Sequence, residues 1–103
     1  WVHVIPNGGA CVLGVLYGKG DFSKSVCIAT MCGYDADCNA GTVGGIIGAM
    51  IGEKQIPEKW KKPIHDDFYP GLRGMPEKVK ISELAAEIAG YAKQVLAEQE
   101  KKQ

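Results

Sequence analysis

Apolar residues in the first half of the chain fall into three blocks, which glycines and polar residues separate. The blocks read "GACVLGVLYG", "FSKSVCIATMC" and "AGTVGGIIGAMIG", and their apolar positions have helical spacing. Helix-capping residues precede each block and glycine follows the first two. The pattern predicts three helices after a short extended piece that ends at Pro6. The candidate N-caps are Asn7 for the first helix, Asp21 or Ser23 for the second, and Asp37 or Asn39 for the third.

Glycine recurs every four residues in the third block. Gly41 and Gly45 form one row, and a second row contains Gly44, Gly48 and Gly52. Glycine costs about 1 kcal/mol relative to alanine inside a helix, so two smooth stripes require a compensating contact. We expect the backbone of another element to approach this helix closely.

The second half of the chain has a different pattern. Residues 53–81 are loop-rich and contain four of the five prolines. Residues 82–102 form a closing amphipathic helix, with Ser82 as its cap. Because no segment alternates strongly between apolar and polar residues, the sequence predicts an all-α fold. The shared apolar face of the closing helix comprises Leu84, Ile88, Tyr91, Val95 and Leu96.

Charge is balanced in total but unevenly placed. Twelve basic and twelve acidic residues cancel, so we expect neither nucleic acid nor a membrane as a partner. Nineteen of these 24 residues lie in 53–103, which indicates a core-forming first half and a solvated second half. The near-apolar run 40–52 is too short to span a bilayer. The chain opens on Trp1 and not on methionine, from which we expect a processed end or a fragment.

The four cysteines lack metal-binding or redox spacing. Cys11, Cys27, Cys32 and Cys38 form no C-x-x-C pair, and the two histidines complete no zinc pattern. We therefore expect free thiols in a reducing compartment, the cytoplasm.

Two carboxylates stand between apolar blocks in "GYDADCNAG". The D-x-D-x-N run that contains Asp35 and Asp37 resembles the first residues of a calcium-binding EF-hand loop. The glycine at the sixth position of that loop and the glutamate at its twelfth position are missing here. Either Asp37 caps the third helix and Asp35 is solvated, or both bind a hard cation such as Mg²⁺, Mn²⁺ or Ca²⁺. The group His65, Asp66 and Asp67 is a weaker candidate, because prolines and lysines around it favour a solvated loop.

The stretch from "PNGGACVLG" to "IPEKW" resembles the C-terminal part of the ADP-ribosylglycohydrolase family. The similarity follows the order of the family's features over residues 5–62: a helix, a "DF" helix start, a variant of G-G-D-T-D-T, a small-residue helix and "IP..W". Residues 82–96 resemble the family's closing segment more weakly. The resemblance implies an orthogonal helical bundle that holds two Mg²⁺ or Mn²⁺ ions and cleaves ADP-ribosyl glycosidic bonds.

The family's metal-binding loop maps onto Asp35, Asp37 and Cys38, with Asn39 as a further oxygen donor. The resemblance places the first acidic metal motif and the catalytic residue in an N-terminal part outside this chain. Residues 1–103 are thus expected to be a single partial domain, inactive alone, whose partners are that N-terminal part and an ADP-ribosylated substrate. No separate cofactor-binding residues are expected. The sequence leaves open whether this chain is part of an active enzyme.

Three residues depart from the family pattern. Cys38 stands where a threonine hydroxyl is usual, and Tyr34 and Ala36 replace glycine and threonine. A thiol is a poor ligand for a hard cation. The alternative is therefore a non-catalytic, crystallin-like or metal-free homologue of the same fold. A third interpretation, an independent calcium-binding module, requires tight Ca²⁺ binding. Without its N-terminal part the chain is expected to expose an apolar face and to self-associate.

Overall fold

A computed structural model describes residues 1–101, which form two compact units, Trp1–Glu58 and a second from Lys59 onward. Helices make up 70% of the structure, which confirms the all-α prediction. No helix in the described part of the chain is long and apolar enough to cross a membrane. The helices are α1 (Val4–Gly18), α2 (Phe22–Met31), α3 (Ala36–Ile51), the one-turn α4 (Glu58–Lys61) and α5 (Ile81–Glu100), and two-residue strands β1 (Asp67–Phe68) and β2 (Val79–Lys80) pair antiparallel.

Helix α1 begins earlier than the sequence predicted. His3 is its N-cap, and its Nδ1 accepts a hydrogen bond from the backbone N–H of Ile5 at 3.2 Å. The predicted extended piece up to Pro6 is wrong, because proline is tolerated in the first turn, where its missing N–H has no intrahelical partner. Asn7 therefore lies inside the helix and is not its cap.

Helix α2 begins as predicted. Asp21 is its N-cap, and the Oδ1 atom accepts a hydrogen bond from the backbone N–H of Lys24 at 2.7 Å. Gly33 follows the helix with a φ of 75°, a conformation that glycine adopts without strain. Both the capping aspartate and the terminating glycine are confirmed.

Helix α3 also begins earlier than predicted. Its N-cap is Asp35, so Asp37 and Asn39 lie within the helix and neither is the cap. The Asp35 side chain makes no capping hydrogen bond. This shift matters for the site, because it places Asp37 and Cys38 on the first helical turn.

The three long helices of the first unit pack around a small core. Among residues 1–101, the buried apolar side chains all lie in this unit. A β-carbon on Gly14 would lie 3.0 Å from the carbonyl oxygen of Ser25, and one on Gly18 would lie 2.8 Å from the Cα of Ser25. Glycine at these two positions allows α1 to approach α2 closely. The buried apolar residues are Ala10, Val26, Ala29, Val43 and Ile47.

The predicted backbone approach to the glycine rows of α3 is wrong. For a β-carbon added to Gly44 or Gly48, the nearest atoms are side-chain carbons of Phe22, Val26 and Ile56, at ordinary contact distances of 3.5 Å or more. In the described part of the chain, apart from the adjoining backbone, no atom lies within 4 Å of where a β-carbon would stand on the other three glycines, Gly41, Gly45 and Gly52. The close approach occurs instead at α1, where the glycines are interspersed with large apolar residues.

In the second unit, Asp66 holds the start of α5. Its carboxylate accepts hydrogen bonds from the Ser82 backbone N–H at 2.9 Å and from the Ser82 Oγ at 2.7 Å. The prediction of Ser82 as cap is wrong, because the helix begins at Ile81 and Lys80 takes the N-cap position. The predicted closing helix is present over Ile81–Glu100, and residues 102–103 lie outside the described part.

Candidate metal centre

A tight turn joins α2 to α3. Gly33 and Tyr34 have φ values of 75° and 58°, and two consecutive left-handed residues reverse the chain direction. Tyr34 adopts this conformation at a cost of about 1–2 kcal/mol, because its β-carbon approaches the following carbonyl. Its side chain is exposed. Asp35 follows this turn directly and is the N-cap residue of α3.

The beginning of α3 brings three potential ligand groups together. One carboxylate oxygen each of Asp35 and Asp37 and the Sγ of Cys38 lie within 4.8 Å of one another. Asp35 is half-buried, whereas Asp37 and Cys38 are exposed. We call these three residues the acid cluster. The first turn of α3 brings the two aspartates together, because Asp35 is the N-cap and Asp37 is the second residue of the helix.

Hydrogen bonds favour the ionised form of Asp37. Its pKa lies below the usual value, first because the backbone N–H of Cys38 donates to its carboxylate. The hydrogen bond with the side chain of Asp35 and the N–H of Asp37 itself act in the same direction. Unpaired N–H groups at a helix N-terminus stabilise negative charge in general. Asp37 is therefore a carboxylate at neutral pH.

The same surroundings keep Cys38 protonated. The hydrogen bond that its thiol makes with Asp35 raises the pKa of Cys38, and the charges of Asp35 and Asp37 raise it further. Metal ions bind the thiolate and not the thiol. Cys38 thus brings a neutral sulfur to a cluster whose other two members offer oxygens.

Asn39 differs from the acid cluster in its surroundings. It is only 4% exposed. Its Nδ2 donates to the Oδ1 of Asn7 at 2.7 Å, and its Oδ1 accepts a hydrogen bond from the Sγ of Cys11 at 3.6 Å. Both ends of the amide therefore have protein partners, and a ligand role for Asn39 stays a prediction.

Asn7 is the residue of this region whose role the sequence analysis missed. Its Oδ1 also accepts the backbone N–H of Asp35 at 3.0 Å, so that one α1 side chain contacts both the cap and the first turn of α3. These contacts span 28 and 32 residues of sequence. No local pattern around Asn7 signals them, since they exist only once α1 lies beside α3.

The second candidate group has structural partners. Asp66 binds the start of α5, and Asp67 forms an ion pair with Lys80 at 2.7 Å. Hydrogen bonds from Ser82 lower the pKa of Asp66, and the hydrogen bond from Lys80 lowers that of Asp67. In residues 1–101 the acid cluster is the one group in which three donor atoms of His, Cys, Asp or Glu converge.

A family model for ADP-ribosylglycohydrolases matches residues 1–102, nearly the whole chain. The chain belongs to the ADP-ribosylglycohydrolase family. Neither a comparison with curated proteins nor one with solved structures gave a match. Membership makes this a chain of a hydrolase family whose members depend on divalent metal ions.

The donor atoms of this ADP-ribosylglycohydrolase chain fit a divalent ion in part. Asp35 and Asp37 supply the carboxylate oxygens that hard cations prefer. Cys38 does not fit, because sulfur is a soft donor and a poor ligand for a hard divalent cation. The two aspartates are therefore the residues in the acid cluster that suit the metal on which the family depends.

Proposed function

We propose that this chain supplies part of a Mg²⁺ or Mn²⁺ centre in a hydrolase that cleaves ADP-ribosyl glycosidic bonds. The observation that carries the proposal is the acid cluster, in which an oxygen of Asp35 and an oxygen of Asp37 lie within 4.8 Å of each other at the start of α3. Asp35 makes no capping hydrogen bond to the backbone of its own helix. Its carboxylate contacts the side chains of Asp37 and Cys38 instead. The cap interpretation of Asp37 loses support, since Asp37 lies inside the helix.

The charge state of the cluster supports cation binding. The backbone N–H of Cys38 lowers the pKa of Asp37, so this carboxylate stays ionised well below neutral pH. A divalent cation is attracted to the ionised Asp37, and oxygen atoms of both aspartates are suitable ligands for it. When bound, the metal would orient the ribose hydroxyl groups and activate water.

The ligand set of this chain is incomplete. Two octahedral ions need about a dozen ligands, and two aspartates offer at most four oxygens. We infer that other ligands and the catalytic residue come from an N-terminal part of the domain, and that this chain alone is inactive. The ADP-ribosylated substrate would bind only to the assembled domain. The four free cysteines support a reducing compartment, the cytoplasm.

The test is Mn²⁺ binding to the full-length protein by isothermal titration calorimetry. Asp35→Asn and Asp37→Asn each remove a charge and keep the shape of the side chain. We expect each to weaken binding about ten-fold or more, since a lost ligand costs more than the 1.4 kcal/mol that a ten-fold change represents. If both variants bind Mn²⁺ as tightly as the wild type, the acid cluster is not a ligand.

Asp21→Asn is the matched control. It makes the same chemical change at the start of α2, and asparagine caps helices as well as aspartate does. The control should bind Mn²⁺ like the wild type, because Asp21 is outside the acid cluster. An equal loss of affinity in the control would assign the effect to overall charge.

A second candidate function is a non-catalytic protein of the same fold. Cys38 favours it, because its sulfur lies where a hard cation requires an oxygen ligand. Hydrolysis of ADP-ribosyl-arginine and ADP-ribosyl-serine model substrates with Mg²⁺ separates the candidates. Release of ADP-ribose supports the enzyme, and a folded full-length protein without turnover supports the structural role.

A further inference from the structure

The carboxamide of Asn7 uses its whole hydrogen-bonding capacity. Its nitrogen donates to the backbone carbonyl oxygens of Trp1 and His3, at 2.7 and 2.8 Å. Its oxygen accepts from the backbone N–H of Asp35 and from the side chain of Asn39, at 3.0 and 2.7 Å. An asparagine amide offers two donors and one oxygen with two lone pairs, so no capacity is left over.

These partners determine which way the amide points. Trp1 and His3 present carbonyl oxygens, which require the NH₂ group, and Asp35 presents an N–H, which requires the oxygen. Reversing the amide would break all of these contacts at once. The side chain therefore links the start of α1 to the start of α3 in one defined orientation.

The link reaches the acid cluster through the backbone. The Asp35 N–H belongs to the residue that carries the first carboxylate, and Asn39 is the neighbour of Cys38. Where the N-cap residue accepts a hydrogen bond from the second or third helical residue, its side chain orders the first turn. Asp35 makes no such bond, and Asn7 contacts the start of α3 from outside instead. Asn39 is in turn supported by the thiol of Cys11.

We propose that Asn7 is a positioning residue for the metal centre: its amide fixes the beginning of α3 so that the carboxylates of Asp35 and Asp37 converge. The proposal rests on the proposed function of the acid cluster. Asn7 touches neither carboxylate, and it acts through the Asp35 backbone and the Asn39 side chain. Groups that orient metal ligands typically change metal affinity ten-fold to a hundred-fold when they are removed.

The experiment compares Mn²⁺ affinity in the full-length wild type, Asn7→Ala and Asn7→Asp, by calorimetry and by electron paramagnetic resonance of the bound ion. We expect Asn7→Ala to bind about ten-fold to a hundred-fold more weakly. Asn7→Asp keeps the size of the side chain but presents an oxygen to the carbonyl groups of Trp1 and His3. We expect it to bind weakly too, with an altered spectrum of the residual bound Mn²⁺.

The aspartate variant separates positioning from simple electrostatics. An extra negative charge near the cluster would strengthen Mn²⁺ binding if charge alone mattered. Ile47→Val is the control for stability, since it trims the core under α3 and leaves the Asn7 contacts in place. It should lower the melting temperature and leave the Mn²⁺ dissociation constant unchanged.

The outcomes distinguish the two proposals. Weaker binding in both Asn7 variants, with the control unchanged, supports the positioning role. Wild-type affinity in Asn7→Ala, together with weak binding in Asp35→Asn, overturns the role of Asn7 and leaves the metal centre intact. Tighter binding in Asn7→Asp also overturns it. A wild-type protein that binds no Mn²⁺ overturns the proposed function, and the positioning role with it.

Discussion

At the scale of single residues, polar groups with and without partners carry the most information. Asn7 and Asp66 each make several hydrogen bonds to distant residues, whereas their local patterns indicate a helix cap and a solvated loop. Ser25 is the opposite case. It is fully buried, and its Oγ has no hydrogen-bond partner among the residues that the structure describes. A buried hydroxyl without a partner costs about 1–3 kcal/mol of desolvation.

Ser25→Ala should therefore stabilise the protein. We expect the free energy of unfolding to rise by about 1–2 kcal/mol, because the change removes the unpaired hydroxyl and adds helix propensity. Urea denaturation measures the change. Ser23→Ala in the first turn of the same helix is the control, and it should not give this gain, because Ser23 has an interaction of its own. A destabilised Ser25→Ala protein would mean that the hydroxyl has a partner.

At the scale of elements, the close packing of α1 on α2 depends on glycine. Gly14 and Gly18 are both buried and face the side of α2 that carries Ser25 and Ala29. The glycine rows of α3 stand out in the sequence because they are regular. Regular spacing shows where smooth helix surfaces exist, but it does not show which of them another helix covers.

Substitution of Gly18 and Gly45 by alanine should have opposite effects. A β-carbon on Gly18 would overlap the Oγ of Ser25 and crowd its backbone, so we expect a loss of about 1–3 kcal/mol. Gly45 lies inside α3 with no described atom near its β-carbon position, so alanine there should add about 1 kcal/mol. Thermal unfolding of both variants tests the contrast, and a stable Gly18→Ala protein would contradict the packing.

At the scale of the whole molecule, a large apolar surface is exposed. An open groove of about 300 Å³ has an entirely apolar lining from α1 and α3. Leu16 at its edge is 64% exposed. Surfaces of this kind promote association in water. The sequence analysis predicted an exposed apolar face for a chain without its N-terminal part, and the groove is a candidate for that face. The groove residues are Cys11, Val12, Val15, Leu16 and Ile46.

This chain, when it is produced without other parts of the domain, should self-associate through the groove. We expect Leu16→Lys to weaken association at least ten-fold, because a charge would have to be buried in an apolar contact. Sedimentation velocity over a range of concentrations gives the measurement. Met31→Lys alters an exposed apolar residue outside the groove and should associate like the wild type. A strictly monomeric wild-type chain would rule the prediction out.

The sequence by itself determined the helical fold and the family, and it identified the two aspartates as candidate metal ligands. Helical periodicity and helix ends at Asp21 and Gly33 depend on interactions within a few residues, which a local pattern records. The same locality explains the errors at Asn7 and Ser82. Each carries the chemistry of a helix cap, and only the folded chain shows that its partners lie elsewhere.

Only the tertiary structure decided how the candidate site is built. The convergence of Asp35 and Asp37 depends on where α3 begins, and that start is held by Asn7 from a helix about 30 residues away. Which glycine faces contact another helix and which are exposed likewise depends on which helices pack together. The sequence determines the chemistry of each side chain. Hydrogen bonds and packing between distant residues form only when folding brings the helices together.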